Sequence, residues 1–120
     1  MNSSPRILVV APDAELRRSI DFALEAEGLH VILRAHLPPP ALLEGVYDCA
    51  VVDESVVLSA SDGWARLAAI PCATVLLVDR IGSAPRGHFT GSIIRKPLLG
   101  RSLVDRVLAA LHARDREPTA

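Results

Sequence analysis

The chain has 120 residues, half of them hydrophobic and only 3% aromatic, which suits one domain with an aliphatic core and is too short for two. Its formal net charge of −1 gives no basic surface of the kind that nucleic-acid binding needs. The polar start of the chain is no signal peptide, and no apolar run is long enough to cross a bilayer. We therefore expect a cytoplasmic protein that contacts neither membranes nor nucleic acids.

Strand and helix signals alternate through the first third of the chain. The aliphatic run Arg6–Val10 predicts a strand that is buried on both faces of a sheet. Asp13 suits the N-cap of the helix that follows, and Gly28 suits its left-handed end. The apolar positions of this helix recur at helical spacing, at Leu16, Ile20, Ala23 and Leu24. Residues 29–34 predict the second strand.

The middle of the chain repeats this alternation with shorter elements. Residues 48–53 form an apolar run that stops abruptly at Asp53, which predicts a third buried strand. The other predicted elements are a short helix at 41–44, a loop at 54–61, a helix at 62–69 capped by Asp62 or Ser61, and a fourth strand at 73–79. That fourth strand also ends in an acid, Asp79.

The last third of the chain is less regular. Residues 80–91 contain three glycines and a proline and have no helical period, so they predict a loop. A brief fifth strand is predicted at Ser92–Arg95. Ser102, with Asp105 three residues later, resembles a capping box that opens the final helix.

Polar residues stand near the predicted ends of four strands. In chain order they are Ala11-Pro12-Asp13, Asp53-Glu54, Asp79 and Lys96-Pro97. Alternating strands and helices indicate an α/β fold with a parallel sheet. In open sheets of this kind, ligands and chemistry gather beyond the carboxyl ends of the strands. Asp53 therefore stands where a functional carboxylate would be expected.

Four motifs resemble the receiver domain of two-component response regulators. They are Ile7-Leu8-Val9-Val10 leading to a helix with Leu16-Arg17-Arg18, then residues 47–53, Asp62-Gly63-Trp64-Ala65-Arg66-Leu67, and Ile94-Arg95-Lys96-Pro97-Leu98. The resemblance implies a CheY-like, flavodoxin-like α/β fold with a five-stranded parallel sheet in the order 2-1-3-4-5. The family's helix between the fourth and fifth strands is expected to be shortened or missing, because residues 80–91 are too few and too rich in glycine. The implied domain spans residues 1–113, and 114–120 form a flexible tail or the start of a linker.

The resemblance implies a role for each matching position. Asp53 corresponds to the aspartate that accepts a phosphoryl group. Lys96, which precedes Pro97, corresponds to the lysine that contacts the phosphoryl oxygens. Asp79 stands at the switch position, where the family has Ser or Thr, and Ser55 corresponds to a backbone position of the pocket.

The acidic pair that helps the family to hold Mg²⁺ is missing from this chain. Ala11 and Pro12 occupy its places and offer no side-chain ligand, although Mg²⁺ takes carboxylate and other oxygen ligands. Asp13 stands one place too late and is expected to cap a helix, which leaves Glu54 as an acidic neighbour of Asp53. We therefore expect no cofactor, weak or absent Mg²⁺ binding, and impaired phosphorylation, because metal ions carry much of phosphoryl-transfer catalysis.

Three functions stay open at this stage. The first is a receiver-like signalling module that is no enzyme and acts through a protein partner, such as a sensor kinase or an output domain, with a homodimer left open. The second is a working phosphoacceptor, Asp53, whose metal site is rebuilt from Asp13, Glu54 or Asp79. The third is a small α/β protein that binds a nucleotide or flavin, which the glycine-free turn at 10–14 disfavours.

Two further expectations can be compared with a structure. Asp53, Asp79 and Lys96 should converge at one edge of the sheet, and Asp79 and Lys96 should form an ion pair that holds the site in one state without phosphate. Cys49 and Cys72 should be reduced core thiols rather than a disulfide.

Overall fold

A parallel sheet organises the chain. A computed structural model describes residues 4–43, 45–79, 89, 91–98 and 100–116. In chain order the elements are β1 (Arg6–Val10), α1 (Ala14–Glu25), β2 (His30–Arg34), a 3₁₀ turn (Pro40–Leu42), β3 (Cys49–Asp53), α2 (Glu54–Leu58), α3 (Gly63–Ala68), β4 (Ala73–Val78), β5 (Ser92–Arg95) and α4 (Ser102–Arg116). Among these residues the five strands pair in the order β2-β1-β3-β4-β5, and every pairing is parallel. The predicted fold class and strand order are confirmed.

Two apolar layers hold helices against opposite faces of the sheet. Helices α1 and α4 cover one face, where Leu24 and Val107 are among the buried residues. Helices α2 and α3 cover the other face, where Val57 and Leu67 are buried. Because β1, β3 and β4 are covered on both sides, nearly all of their residues are buried. This burial explains why those strands read as continuous aliphatic runs.

The predicted loop at 54–61 is wrong over its first half, where α2 forms. Asp53 stands at the N-cap of α2, and its side chain accepts a hydrogen bond from the amide of Ser55. Val56 and Val57 are buried in the layer shared with α3. Consecutive β-branched residues have modest helix propensity, so the cap and the packing of these side chains outweigh the local preference.

One predicted side-chain cap is found, at α1, and one is missing, at α3. Asp13 caps α1, with its Oδ1 accepting from the amide two residues on at 3.0 Å. Asp62 occupies the N-cap position of α3 but makes no capping hydrogen bond with its side chain. Helix α4 begins at Ser102, and the amide of Asp105 donates to the carbonyl of Arg101 at 2.8 Å. The final helix therefore opens at Ser102, as predicted.

Some predictions fall on parts of the chain that the structure does not describe. Of the predicted loop at 80–91 only Phe89 and Gly91 are described, so the expectation of a shortened or missing helix there lies outside the described residues.

The 3₁₀ turn stands where a short helix was expected at 41–44. Helix α4 runs through Arg116, three residues into the predicted tail. Within the described residues, no helix has both the length and the apolar character that a membrane span requires.

The two cysteines are thiols that pack into opposite layers of the fold. Cys49 is fully buried on the α1 and α4 side, whereas Cys72 is half-buried on the α2 and α3 side. Burial raises the pKa of the Cys49 thiol to about 12, and the nearby Cys72 adds to the shift. This thiol therefore stays protonated at neutral pH and behaves as a small core residue.

Candidate functional site

Asp53 lies at the carboxyl end of β3 and is almost completely buried. Its side chain is only 5% exposed. The Oδ1 atom accepts a hydrogen bond from the amide of Ser55 at 2.9 Å, and the Oδ2 atom accepts one from the Nζ of Lys96 at 2.9 Å. One carboxylate group thus ends the strand, caps the next helix and pairs with a cation.

Lys96 reaches Asp53 from β5, which lies two strands away in the sheet. Its backbone amide donates to the carbonyl of Val78 at 2.8 Å, which fixes its main chain beside the end of β4. The peptide bond to Pro97 is cis. The Nζ atom lies 3.2 Å from the Oδ1 of Asp79 as well as 2.9 Å from the Oδ2 of Asp53. The predicted convergence of these three side chains and the predicted ion pair of Asp79 with Lys96 are both present.

The two partners of Lys96 differ in their surroundings. The Asp79 side chain is 84% exposed, so the ion pair it forms is largely hydrated. Burial by itself would lower the pKa of Lys96, but the hydrogen bond and charge of Asp53, and then those of Asp79, outweigh it and raise that pKa above its ordinary value. Lys96 is therefore a permanent cation between two carboxylates at neutral pH.

Glu54 is the neighbouring acid that the sequence pointed to, and it is buried. The residue is 5% exposed, and its Oε2 atom has no hydrogen-bond partner within the described part of the chain. Buried polar atoms in folded proteins nearly always have a partner, because leaving one unpaired costs its full desolvation energy. Among the described residues, Glu54 therefore carries an unpaired buried polar atom directly beside the candidate site.

The turn after β1 carries none of the side-chain oxygens that a metal would need at its first two positions. Ala11 is fully buried, and Pro12 is exposed. Asp13 is exposed and its Oδ1 is engaged in capping α1. Sequence reasoning missed Arg17, which the structure brings to this turn. Its Nη1 donates to the carbonyls of Ala11 at 2.8 Å and Pro12 at 3.2 Å, and no local pattern signals that contact.

This set of side chains does not fit a Mg²⁺ site. Within the described ranges, no group of three or more His, Cys, Asp or Glu residues is arranged to hold a metal ion. The Asp53 carboxylate is already engaged by an amide and an ammonium group, and Asp13 points its oxygen at its own helix. Hard divalent cations need several oxygen ligands in near-octahedral order. The site therefore offers a carboxylate and a fixed ammonium group rather than the set of oxygen ligands that Mg²⁺ takes.

The arrangement has limited chemical options. A carboxylate oxygen of Asp53 retains lone pairs beyond its hydrogen bonds and can act as a nucleophile. Lys96 can stabilise negative charge that develops close to Asp53. The second carboxylate, Asp79, draws on the same lysine and reduces the positive potential that an incoming anion meets.

Comparison with known proteins identifies the fold. No family model matches the chain, and no curated protein does either. Among solved structures, a CheY-like response regulator receiver domain protein from Methanospirillum hungatei JF-1 is 20% identical, with a TM-score of 0.80 over 97% of this chain and 100% of that one. The N-terminal domain of a response regulator/sensory box/GGDEF protein from Carboxydothermus hydrogenoformans is 20% identical, with a TM-score of 0.75 over 92% of this chain and 96% of that one.

A third solved structure agrees. The non-phosphorylated HemR receiver domain from Leptospira biflexa is 17% identical, with a TM-score of 0.74 over 98% of this chain and all of that chain. At these identities the likeness establishes the fold. The chain has the flavodoxin-like fold of CheY-like response regulator receiver domains, as its motifs predicted.

Proposed function

We propose that this chain is a receiver-like signalling module of a two-component or phosphorelay system, that it works in the cytoplasm, and that it acts through contacts with a protein partner rather than as an enzyme. Mg²⁺-dependent phosphorylation of Asp53 is impaired in this proposal. The shared fold supports the signalling class. The residues at the turn after β1 support the impairment, because Ala11 and Pro12 supply no metal ligand.

The observation that carries the proposal is the sharing of Lys96 between two carboxylates. Asp53 and Asp79 lie 2.9 Å and 3.2 Å from the same Nζ atom. The lysine that would have to meet a phosphoryl group is therefore already engaged, and the pair holds the site in one arrangement without phosphate. While Asp53 is unmodified, a module of this kind presents one surface to its partner.

A Mg²⁺ titration of the 120-residue protein, followed by amide NMR shifts, tests the impairment. We expect shifts at Ser55 and Lys96 that do not saturate in the low-millimolar range. The double variant Ala11→Asp, Pro12→Asp restores two carboxylates at the turn and should tighten Mg²⁺ binding. Saturation of the unmodified protein at low-millimolar Mg²⁺, with shifts centred on Asp53, would count against the proposal.

The second candidate function is a working phosphoacceptor, which the intact pair of Asp53 and Lys96 favours. An oxygen of Asp53 would attack the phosphorus atom of a small donor such as acetyl phosphate. An acyl phosphate would form while acetate leaves with the electrons of the broken P–O bond. Intact mass spectrometry after incubation with acetyl phosphate distinguishes the two functions. Stoichiometric labelling that disappears in Asp53→Asn would favour this candidate, and weak labelling would favour the first.

A further inference from the structure

Helix α2 is a single short element that begins directly at the candidate site. It has five residues, and Asp53 in extended conformation (φ −77°, ψ 132°) is its N-cap. The Asp53 Oδ1 atom accepts from the amide of Ser55 at 2.9 Å. Val56 and Val57 turn inward and are 5% and 1% exposed. The cap and these two side chains help to hold the helix in place, together with the hydrogen bonds that Ser59 donates to the carbonyls of Ser55 and Val56.

Several features work against α2. A helix of one turn has no cooperative stability of its own, and consecutive valines are poor helix formers. Glu54, its first residue, is buried with an Oε2 atom that has no hydrogen-bond partner among the described residues. Opening of the helix would return that carboxylate to water and satisfy it. The helix therefore depends on its cap and on the burial of its valines, so that a change at Asp53 can open it.

Asp53 links the stability of α2 to the candidate site. Both of its oxygens are used, one by the Ser55 amide and the other by Lys96. Loss of its charge, or conversion of one oxygen into an ester or anhydride, must disturb the cap, the ion pair or both. From this geometry we infer that α2 is a conformational switch that stays formed while Asp53 is a free carboxylate and opens when Asp53 is altered.

Opening would change the surface next to α3. Val56 and Val57 would leave the core beside Leu58, which is already 56% exposed. Helix α3 would also be affected, because its first residue, Gly63, packs so closely on α2 that an added Cβ would overlap the Val57 carbonyl. The opened segment would present three consecutive apolar residues to a protein partner. The inference rests on the proposed function only in taking Asp53 as the group whose state changes, and the coupling itself can be tested without phosphorylation.

Amide hydrogen exchange of the 120-residue protein, read by NMR, tests the coupling. The reporter is the Ser59 amide, which donates to the Ser55 carbonyl at 3.1 Å across α2. The reference is the His30 amide, which donates to the Pro5 carbonyl at the far side of the sheet. Asp53→Ala removes the cap acceptor and should speed exchange at Ser59 about fivefold relative to His30. Asp53→Asn retains a capping oxygen and should produce a smaller increase.

A matched control and an opposite change complete the experiment. Asp13→Ala removes the equivalent cap from α1 and should leave Ser59 exchange within about twofold of the parent value. Glu54→Met keeps Asp53 and removes the buried unpartnered oxygen, so it should slow exchange at Ser59. Unchanged Ser59 exchange in Asp53→Ala, or an equal rise at Ser59 and His30, would overturn the inference. Faster or unchanged exchange in Glu54→Met would overturn it too, even if Asp53→Ala does not fold.

Discussion

The turn after β1 and the turn after β3 use the same local device. In each turn an aspartate in extended backbone accepts a hydrogen bond from the amide two residues on, at 3.0 Å for Asp13 and 2.9 Å for Asp53. The surroundings differ. Asp13 is exposed, whereas Asp53 is 3% exposed and is paired with Lys96. The first turn is an ordinary helix start, and the second is the core of a candidate site.

The difference follows from the position of each strand in the sheet. Strand β1 has the edge strand β2 on one side, whereas β3 has β4 and then β5 beyond it. Asp79 and Lys96 come from the ends of those two strands, and the length of a lysine side chain allows its amine to cross β4 and meet Asp53. The comparison teaches that a capping aspartate becomes a site when neighbouring strands bring it a cation and remove its water.

The largest contrast should be steric, and it lies between the two segments that follow these turns and their helices. Gly63→Ala, in the segment that follows β3, should lower the free energy of unfolding by more than about 3 kcal/mol, because the new Cβ would overlap the Val57 carbonyl. Gly28→Ala, after α1, meets open space and only suffers its positive φ of 83°, which should cost about 1 kcal/mol. Urea denaturation of both variants gives the two values. Equal losses of stability in the two variants would show that the segment around Gly63 is packed no more tightly than the segment around Gly28.

The two capping aspartates provide the next contrast. Asp53→Ala should lower the free energy of unfolding by about 2–3 kcal/mol, because it removes a buried charged hydrogen-bond acceptor as well as a cap. Asp13→Ala removes only an exposed cap and should cost about 1 kcal/mol. Chemical denaturation at neutral pH measures both. A cost for Asp13→Ala that matches or exceeds that for Asp53→Ala would contradict the proposed difference.

The opposite end of β3 should respond to alkali. Burial raises the pKa of Cys49 from 9.0 to about 12 in the folded protein, so the unfolded chain loses this proton first. The contribution of the protonated Cys49 thiol to the free energy of unfolding is fully present below pH 9 and is lost as the pH rises toward 12. About 1–2 kcal/mol of it should be lost by about pH 10. Lys96, whose pKa is also raised, adds loss with the same sign only above its ordinary value.

Denaturation at several pH values separates these two contributions. Cys49→Ala should flatten the profile between about pH 9 and pH 12, whereas Lys96→Met should flatten only the part above about pH 10.5. Cys72→Ala, which removes the second contributor to the raised pKa of Cys49, should change the profile less than Cys49→Ala. An alkaline loss that survives Cys49→Ala unchanged would assign the effect to other groups.

The smallest expected effect lies within the site. A double-mutant cycle over Asp79→Thr and Lys96→Ala should give a coupling of about 0–1 kcal/mol that weakens with salt, because Asp79 is 84% exposed. The matched cycle over Asp53→Asn and Lys96→Ala should give a larger coupling with less salt dependence, because the Asp53 side chain is 5% exposed. Equal couplings in the two cycles would mean that burial does not distinguish the carboxylates.

The sequence by itself determined the framework and the membership of the site. Strands β1, β3 and β4 are covered on both faces, so they had to be continuous aliphatic runs, and such runs are visible without a structure. The acids and the lysine were visible too, because they stand directly after the predicted strands. Since parallel strands end at a common edge, the convergence of Asp53, Asp79 and Lys96 followed from the alternation of elements and the implied strand order.

Tertiary structure alone decided how those groups are used. The formation of α2, the burial of Glu54, the contact of Arg17 with the turn after β1 and the absence of a side-chain cap at Asp62 had no reliable local signal. Hydrophobic patterning reports burial because it repeats over neighbouring residues. A polar side chain takes the partner that folding brings within about 3 Å, and Asp53 and Lys96 are 43 positions apart in the chain. Their pairing, and the sharing of one ammonium group between two carboxylates, depend on packing distances that composition and periodicity do not contain.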